Sequence, residues 1–157
     1  MNNTFFRIEW SLARKLQFLF FALLFAASFS FQSCNAAKGM VDRDQYSIDQ
    51  NEIIKTDAIA LMKKGTKSFS SMETQINEFK SKVNDQIDYE RDKGEKNTQT
   101  VEMWELMMDP SSNLMGGFLS RWETDGKLNG PFVKEAAKLV SSNFDKIIKL
   151  EKKKRKP

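Results

Sequence analysis

The chain has 157 residues, a formal net charge of +4, a single cysteine and no histidine. One cysteine excludes an intramolecular disulfide. Without histidine, the chain cannot supply Ser-His or Cys-His catalytic pairs, histidine-based zinc sites or the Glu-x-x-His ligands of di-iron bundles. Three prolines, seven glycines and many Lys, Glu, Asp, Met and Ala residues favour helices, and no useful alternating strand pattern occurs.

An apolar run at residues 16–34 ends in the only cysteine, Cys34. Arg7, Arg14 and Lys15 precede it, and a positive segment before an apolar core is typical of a secretory signal. A helix that spans a bilayer needs about 20 apolar residues, because each residue adds ~1.5 Å. Residues 16–31 fall short of that length. The run is therefore predicted to be the apolar core of an export signal.

The run closes with four residues that resemble the cleavage site of bacterial lipoprotein signal peptides: Phe31, Gln32, Ser33 and Cys34. In that family a large apolar, a variable and a small residue precede the cysteine, although leucine is more usual at the first position. The resemblance implies that residues 1–33 are a signal peptide that is cut off before Cys34. It also implies that the Cys34 sulfur carries a diacylglyceryl group with palmitate-like acyl chains. The resemblance covers residues 1–34 only, and no family is recognised for the domain that follows.

The same resemblance implies that the protein lies in the bacterial cell envelope, anchored in the membrane by lipid. Residues 35–38 lack the acidic cluster that marks surface export in some lipoproteins, which favours the periplasmic side. Three alternatives stay open: cleavage after Ala27 or Ala37 would give a secreted soluble protein, an uncleaved run would remain as an anchor, and Cys34 would be an ordinary buried thiol. The polar residues after Cys34 argue against burial.

The chain after the signal is predicted to be all-α. Residues 34–46 are polar and predict a flexible tether, and residues 47–150 predict one helical domain. Ser47 and Gln50 fit a capping box that opens the first helix. The second helix shows the clearest apolar seam, formed by Phe69, Met72, Ile76, Phe79, Val83 and Ile87.

The third helical segment is predicted to break at Asp109-Pro110, because the residue before proline avoids helical angles. Gly126 ends the segment, and Asn129 caps the last helix with Pro131 in its first turn. An apolar stripe is predicted along that last helix: Phe132, Ala136, Leu139, Val140, Phe144, Ile147 and Ile148. The predicted fold is a small antiparallel bundle of about four helices, the third of them broken.

The third segment is also the most unusual in composition. Its apolar side chains surround a helix breaker and the pair Gly116-Gly117, which predicts a kink or close approach of another helix. Six of its residues are candidate partner-binding residues, since methionine and tryptophan suit binding surfaces: Trp104, Met107, Met108, Met115, Phe118 and Trp122. The other interpretation, which the sequence favours, is that these residues fill the core.

Catalysis is not predicted. Glu102 and Glu105 lie three residues apart on one helical face, but such a pair is more often a solvated surface. Gly116-Gly117 follows no strand, so it is not a phosphate loop. No metal site and no cofactor are predicted.

Residues 151–157 form a basic tail, predicted to be a disordered, solubilising end or a contact for anionic headgroups. Residues 149–156 hold six basic residues and one acidic residue, whereas 34–148 holds three more acidic than basic residues. The basic character therefore lies at the ends, which argues against nucleic-acid binding by the domain.

The predicted function is a lipid-anchored envelope protein whose helices bind or scaffold other envelope proteins. The alternative is a carrier that holds a hydrophobic ligand between helices.

Overall fold

A computed structural model describes residues 39–157, which form five α-helices and no strand. The helices are α1 (Gln45–Met62), α2 (Glu73–Asp92), α3 (Thr98–Met108), α4 (Met115–Asp125) and α5 (Gly130–Lys153), with short 3₁₀ helices at Phe69–Met72 and Glu95–Asn97. The predicted signal peptide, Cys34 and residues 35–38 lie outside the described residues. Within residues 39–157, no helix has the length and apolar character that crossing a membrane requires.

Four of the helices form a closed antiparallel ring. In this ring α1 packs against α2 and α5, and α3 closes it by packing against the same two helices. Two ion pairs between α1 and α5 show that these helices run antiparallel. Glu52 pairs with Lys152, and Lys55, later in α1, pairs with Asp145, earlier in α5. The predicted small helical bundle is therefore confirmed.

The predicted break in the third segment is also confirmed. Asp109 has an extended backbone (ψ 120°) as the residue before Pro110, and α3 ends at Met108. The Asp109 carboxylate accepts hydrogen bonds from the backbone N–H and the hydroxyl of Ser111, which stabilises the turn. The chain then enters α4, whose aromatic side chains close one end of the ring. This end, containing Phe69, Phe118, Trp122 and Phe132, is called the aromatic end below.

Gly116 and Gly117 make the tight approach between α4 and the preceding turn possible. A Cβ atom on Gly117 would lie 1.7 Å from the Ser112 carbonyl oxygen, and one on Gly116 would lie 2.1 Å from the Met108 carbonyl oxygen. Both contacts are with backbone, so a side chain there would displace the turn. The predicted close approach is therefore found, but it is to the end of α3 and the turn after it rather than to the side of another helix.

Replacing Gly117 by Ala is therefore expected to lower the free energy of unfolding by roughly 3 kcal/mol, the upper part of the range for overpacking. Urea denaturation followed by circular dichroism measures the change. The control is Gly130→Ala, where a Cβ meets nothing within 4 Å, and we expect a change below about 1 kcal/mol. Equal effects at the two glycines would contradict the tight turn.

Both ends of the helical domain differ from the predicted boundaries. The prediction that a capping box at Ser47 opens the first helix is wrong. Instead α1 begins at Gln45, and the Asp44 carboxylate caps it by accepting a hydrogen bond from the Tyr46 N–H at 3.0 Å. The hydroxyl of Ser47 is instead buried and donates to Glu90 of α2. At the other end α5 continues to Lys153, and Glu151 and Lys154 are buried. The prediction of a disordered tail is therefore wrong for residues 151–154.

The core follows the predicted seams closely. In α2 the side chains of Ile76, Phe79, Val83 and Ile87 are all buried, which confirms that part of the seam. The first two predicted members, Phe69 and Met72, lie instead in the 3₁₀ helix before α2, where Met72 is buried and Phe69 is half-buried. Asn129 caps α5 as predicted, accepting from the Phe132 N–H at 2.9 Å, and Gly126 ends α4 at φ 68°. Leu139 is an exception because it is exposed, and Val133, which is not in the predicted stripe, is buried.

Candidate functional site: a buried polar network

The end of the bundle opposite the aromatic end contains charged side chains inside the protein. This polar end is built by the N-terminus of α1, the C-terminus of α2, the start of α3 and the C-terminus of α5. Its buried members are Ser47, Asn51, Gln86, Glu90, Asn97, Thr100, Glu151 and Lys154. Burying a charge is costly unless it is paired and hydrogen-bonded, so the partners of each carboxylate decide whether the site is stable.

Glu90 is fully buried and accepts hydrogen bonds from four side chains. Gln86 Nε2 lies 2.8 Å and Lys93 Nζ 2.9 Å from its carboxylate oxygens, and Asn97 Nδ2 lies at 2.7 Å. The Ser47 hydroxyl also donates to it from α1. Donors from three separate elements therefore compensate the buried negative charge of Glu90.

Glu151 is the second fully buried carboxylate, and it is paired with Lys154 at 2.6 Å. Thr100 Oγ1 donates to the same oxygen, Oε1, at 2.7 Å. Lys154 Nζ also donates to Asn97 Oδ1 at 2.6 Å, while the amide nitrogen of Asn97 donates to Glu90. Asn97 thus joins the two carboxylates into one network.

Some polar atoms inside this end have no hydrogen-bond partner among the described residues. They are both amide atoms of Asn51, Nε1 of Trp104 and Oε2 of Glu151. Asn51 lies one turn after Ser47 on the buried face of α1. An unpaired buried polar atom costs about 1–3 kcal/mol.

Asp44, Tyr89 and Lys93 form the partly exposed rim of the network. Burial acts to raise the pKa of Asp44, but the Tyr89 hydroxyl and the Lys93 ammonium outweigh it and lower the pKa to about 2. The Tyr89 hydroxyl donates to Asp44 at 2.7 Å, and this bond raises the pKa of Tyr89 to about 12. Lys93 Nζ lies 2.9 Å from Asp44 and 4.5 Å from the centre of the Tyr89 ring.

This rim predicts a loss of stability in acid. Because the pKa of Asp44 is lower in the folded than in the unfolded protein, the stabilisation is present above about pH 4 and is lost towards pH 2. Between pH 7 and pH 3, we expect wild type to lose measurably more stability than Asp44→Asn, by up to about 1 kcal/mol, since water screens this partly exposed group. Asparagine keeps the helix cap, so the variant is a matched control. Urea denaturation at both pH values measures the difference, and identical losses would contradict the assignment.

The six candidate partner-binding residues lie in the core. Trp104, Met107, Met115, Phe118 and Trp122 are each at most 3 % exposed, and the half-buried Met108 packs against them. The Trp104 ring meets Phe144 of α5 at 5.6 Å, and Trp122 Nε1 donates to the Lys67 carbonyl at 3.0 Å. These contacts agree with the core-filling interpretation, and in this conformation the six side chains offer little surface to a partner.

The remaining acidic candidates are solvated. Glu102 and Glu105 are both exposed, and Glu105 pairs with Arg91 of α2 at 3.1 Å. Among residues 39–157 no group of three or more acidic or cysteine side chains is arranged to hold a metal ion. Glu90 and Glu151 each accept hydrogen bonds from neighbouring side chains of the protein. Both are fully buried, so a substrate would not reach them without a change in conformation.

Two surface grooves lie towards the aromatic end. The α1–α5 groove has a volume of about 690 Å³, an apolar floor that includes Ile59, Val133 and Ala137, and three lysines around it: Lys63, Lys134 and Lys138. The smaller α4–α5 groove, of about 340 Å³, is lined by Gly117, Phe118, Arg121, Phe132 and Leu139, among others. Arg121 lies 4.4 Å above the Phe132 ring and forms one wall.

No protein-family model matches this sequence, and searches of characterised proteins and of solved structures gave no significant match. The functional proposals below therefore rest on the residues and contacts of this chain.

Proposed function

We propose that this chain is a lipid-anchored protein of the bacterial cell envelope whose helical domain binds or scaffolds other envelope proteins. The observation that carries the proposal is the sequence at residues 31–34, where a small residue and Cys34 follow a positively charged and then apolar segment. The described domain begins its first helix at Gln45, shortly after that cysteine. Acyl chains at Cys34 would hold this domain beside a bilayer.

The surface of the domain favours a role in protein binding. Leu139 is 45 % exposed and lies at the α4–α5 groove, beside the ring of Phe132. Arg121 and Glu135 supply one charge of each sign at the same groove. An apolar anchor with charged neighbours is a common composition of protein interfaces. We infer that a partner inserts an apolar side chain here.

The anchoring half of the proposal is tested by growing cells with an alkyne-labelled fatty acid. We expect the wild-type chain to incorporate the label and to remain in the membrane fraction, whereas Cys34→Ser incorporates none. Incorporation in the Cys34→Ser variant, or none in the wild type, would contradict acylation at Cys34.

The binding half is tested by crosslinking in intact cells and identifying the neighbours. Leu139→Asp is expected to remove a defined envelope protein from the crosslinked set. Leu106→Asp is the control, because Leu106 is 56 % exposed but lies on α3, outside the α4–α5 groove. Loss of the same neighbour with both variants, or with neither, would contradict the groove assignment.

A second candidate function is a carrier of a hydrophobic anion, and the α1–α5 groove favours it. Its apolar floor suits an acyl chain, and the lysines around it suit a carboxylate or phosphate headgroup. Purification of the full chain in mild detergent, followed by lipid extraction and mass spectrometry, distinguishes the candidates. One stoichiometric lipid lost in Lys63→Glu and Lys134→Glu would support the carrier, and its absence would leave the binding module.

A further inference from the structure

The two ends of the described chain meet at the polar end of the bundle. The Arg43 backbone N–H donates to the Arg155 carbonyl oxygen at 2.7 Å, and Arg155 Nε pairs with Asp42 at 3.0 Å. Asp42 and Arg43 therefore lie beside the C-terminus of α5. Only residues 35–38 separate Cys34 from the first described residue, Gly39.

The C-terminal stretch of α5 carries a concentration of positive charge, whereas the N-terminus of α1 and the C-terminus of α2 carry more acidic than basic residues. Residues 146–156 contain seven basic residues and one acidic residue. Lys152, Lys154 and Arg155 pair with acidic side chains, and Lys154 is buried. The other four are exposed and form no salt bridge with the described residues: Lys146, which donates to Asn143 Oδ1 at 3.1 Å, and Lys149, Lys153 and Lys156. Lys149 and Lys153 are four residues apart, so they lie on one face of the helix.

We propose that Lys149, Lys153 and Lys156, the three of these lysines nearest the end of α5, bind anionic phospholipid headgroups, so that the C-terminus of α5 lies against the bilayer. The orientation rests on the proposed anchoring at Cys34, because the acyl chains and the lysines would then engage the membrane from the same end. Exposed lysines near an anionic bilayer are attracted to it within about a Debye length. With α5 about 36 Å long, the aromatic end and its two grooves face away from the membrane and towards partners.

The test uses the full chain with Cys34→Ser, so that acylation plays no part. Flotation compares vesicles of phosphatidylglycerol and phosphatidylcholine with vesicles of phosphatidylcholine alone, and the measured quantity is the preference for the anionic vesicles. Replacing Lys149, Lys153 and Lys156 by Gln is expected to lower that preference about 100-fold, at roughly fivefold for each charge. Raising the salt to 0.5 M is expected to lower it in the unsubstituted chain as well.

The matched control replaces by Gln three lysines at the aromatic end that line neither groove: the exposed Lys67 and Lys127 and the half-buried Lys64. We expect this triple variant to keep the preference for anionic vesicles. Equal losses in the two triple variants, or no loss in either, would overturn the proposal. Because the chain in this test is not acylated, an unmodified Cys34 in cells would defeat the anchoring proposal and leave the vesicle result standing.

Discussion

Replacing Lys154 by Met is expected to lower the free energy of unfolding by about 3–5 kcal/mol, the cost of leaving a buried carboxylate unpaired. Lys154 pairs with Glu151 at 2.6 Å, and both side chains are at most 1 % exposed. The change also removes the donor at 2.6 Å from Asn97 Oδ1. For a domain with a stability of about 5–15 kcal/mol, such a loss is large, and urea denaturation at pH 7 measures it.

The neighbouring residue provides the control. Lys153→Met makes the same chemical change at an exposed position, and we expect a change within about 0.5 kcal/mol. Combining Lys154→Met with Glu151→Leu removes both charges, so the double variant is expected to be at least 2 kcal/mol more stable than the sum of the two single losses predicts. Additive losses would contradict direct coupling between Glu151 and Lys154.

Replacing Trp104 by Ala is expected to cost about 3–5 kcal/mol, because the fully buried indole fills the space between α3 and α5. The exposed Leu106 on the same helix is the control, and its replacement by Ala is expected to cost less than about 0.5 kcal/mol. Urea denaturation compares the two. A fully stable Trp104→Ala variant would contradict the position of Trp104 in the core.

Phenylalanine variants distinguish the two buried tryptophans further. Trp122 Nε1 donates to the Lys67 carbonyl, whereas Trp104 Nε1 has no partner among the described residues. Trp122→Phe loses a hydrogen bond and leaves a carbonyl unpaired, so it is expected to cost about 1–3 kcal/mol more than Trp104→Phe. The reverse order would contradict these assignments.

The helices and most of the core are predictable because they follow from local patterns. The three- and four-residue steps from Met72 to Ile87 repeat at the period of a helix, and Pro110 prevents helical angles at the residue before it. These signals do not depend on the rest of the fold. Leu139 shows the limit of such local patterns. The helical period places it near the buried stripe of α5, but in the folded domain no other element covers its side chain and it is exposed.

The buried polar network is not predicted by the sequence, because charged residues ordinarily lie in solvent. Glu90 follows Ile87 by three residues and therefore continues the apolar seam of α2, and Glu151 continues the stripe of α5 after Ile147 and Ile148 in the same way. That spacing was the available signal. It gives no indication of the partners, because Asn97 and Thr100 come from a different part of the chain.

The candidate binding residues illustrate a related limit. A stripe such as Trp104, Met107 and Met115 shows which face of a segment is apolar, but it does not show what covers that face. In the folded domain α5 and the rest of the ring cover it. The more exposed residues at the α4–α5 groove, such as Leu139, become visible only when α4 and α5 are placed side by side.

The most direct test of the proposed anchoring is mass spectrometry of the N-terminal peptide of the protein recovered from membranes. We expect a chain that begins at Cys34, with the mass of a diacylglyceryl group on its sulfur. A chain that still begins at Met1 and carries an unmodified thiol at residue 34 would contradict it.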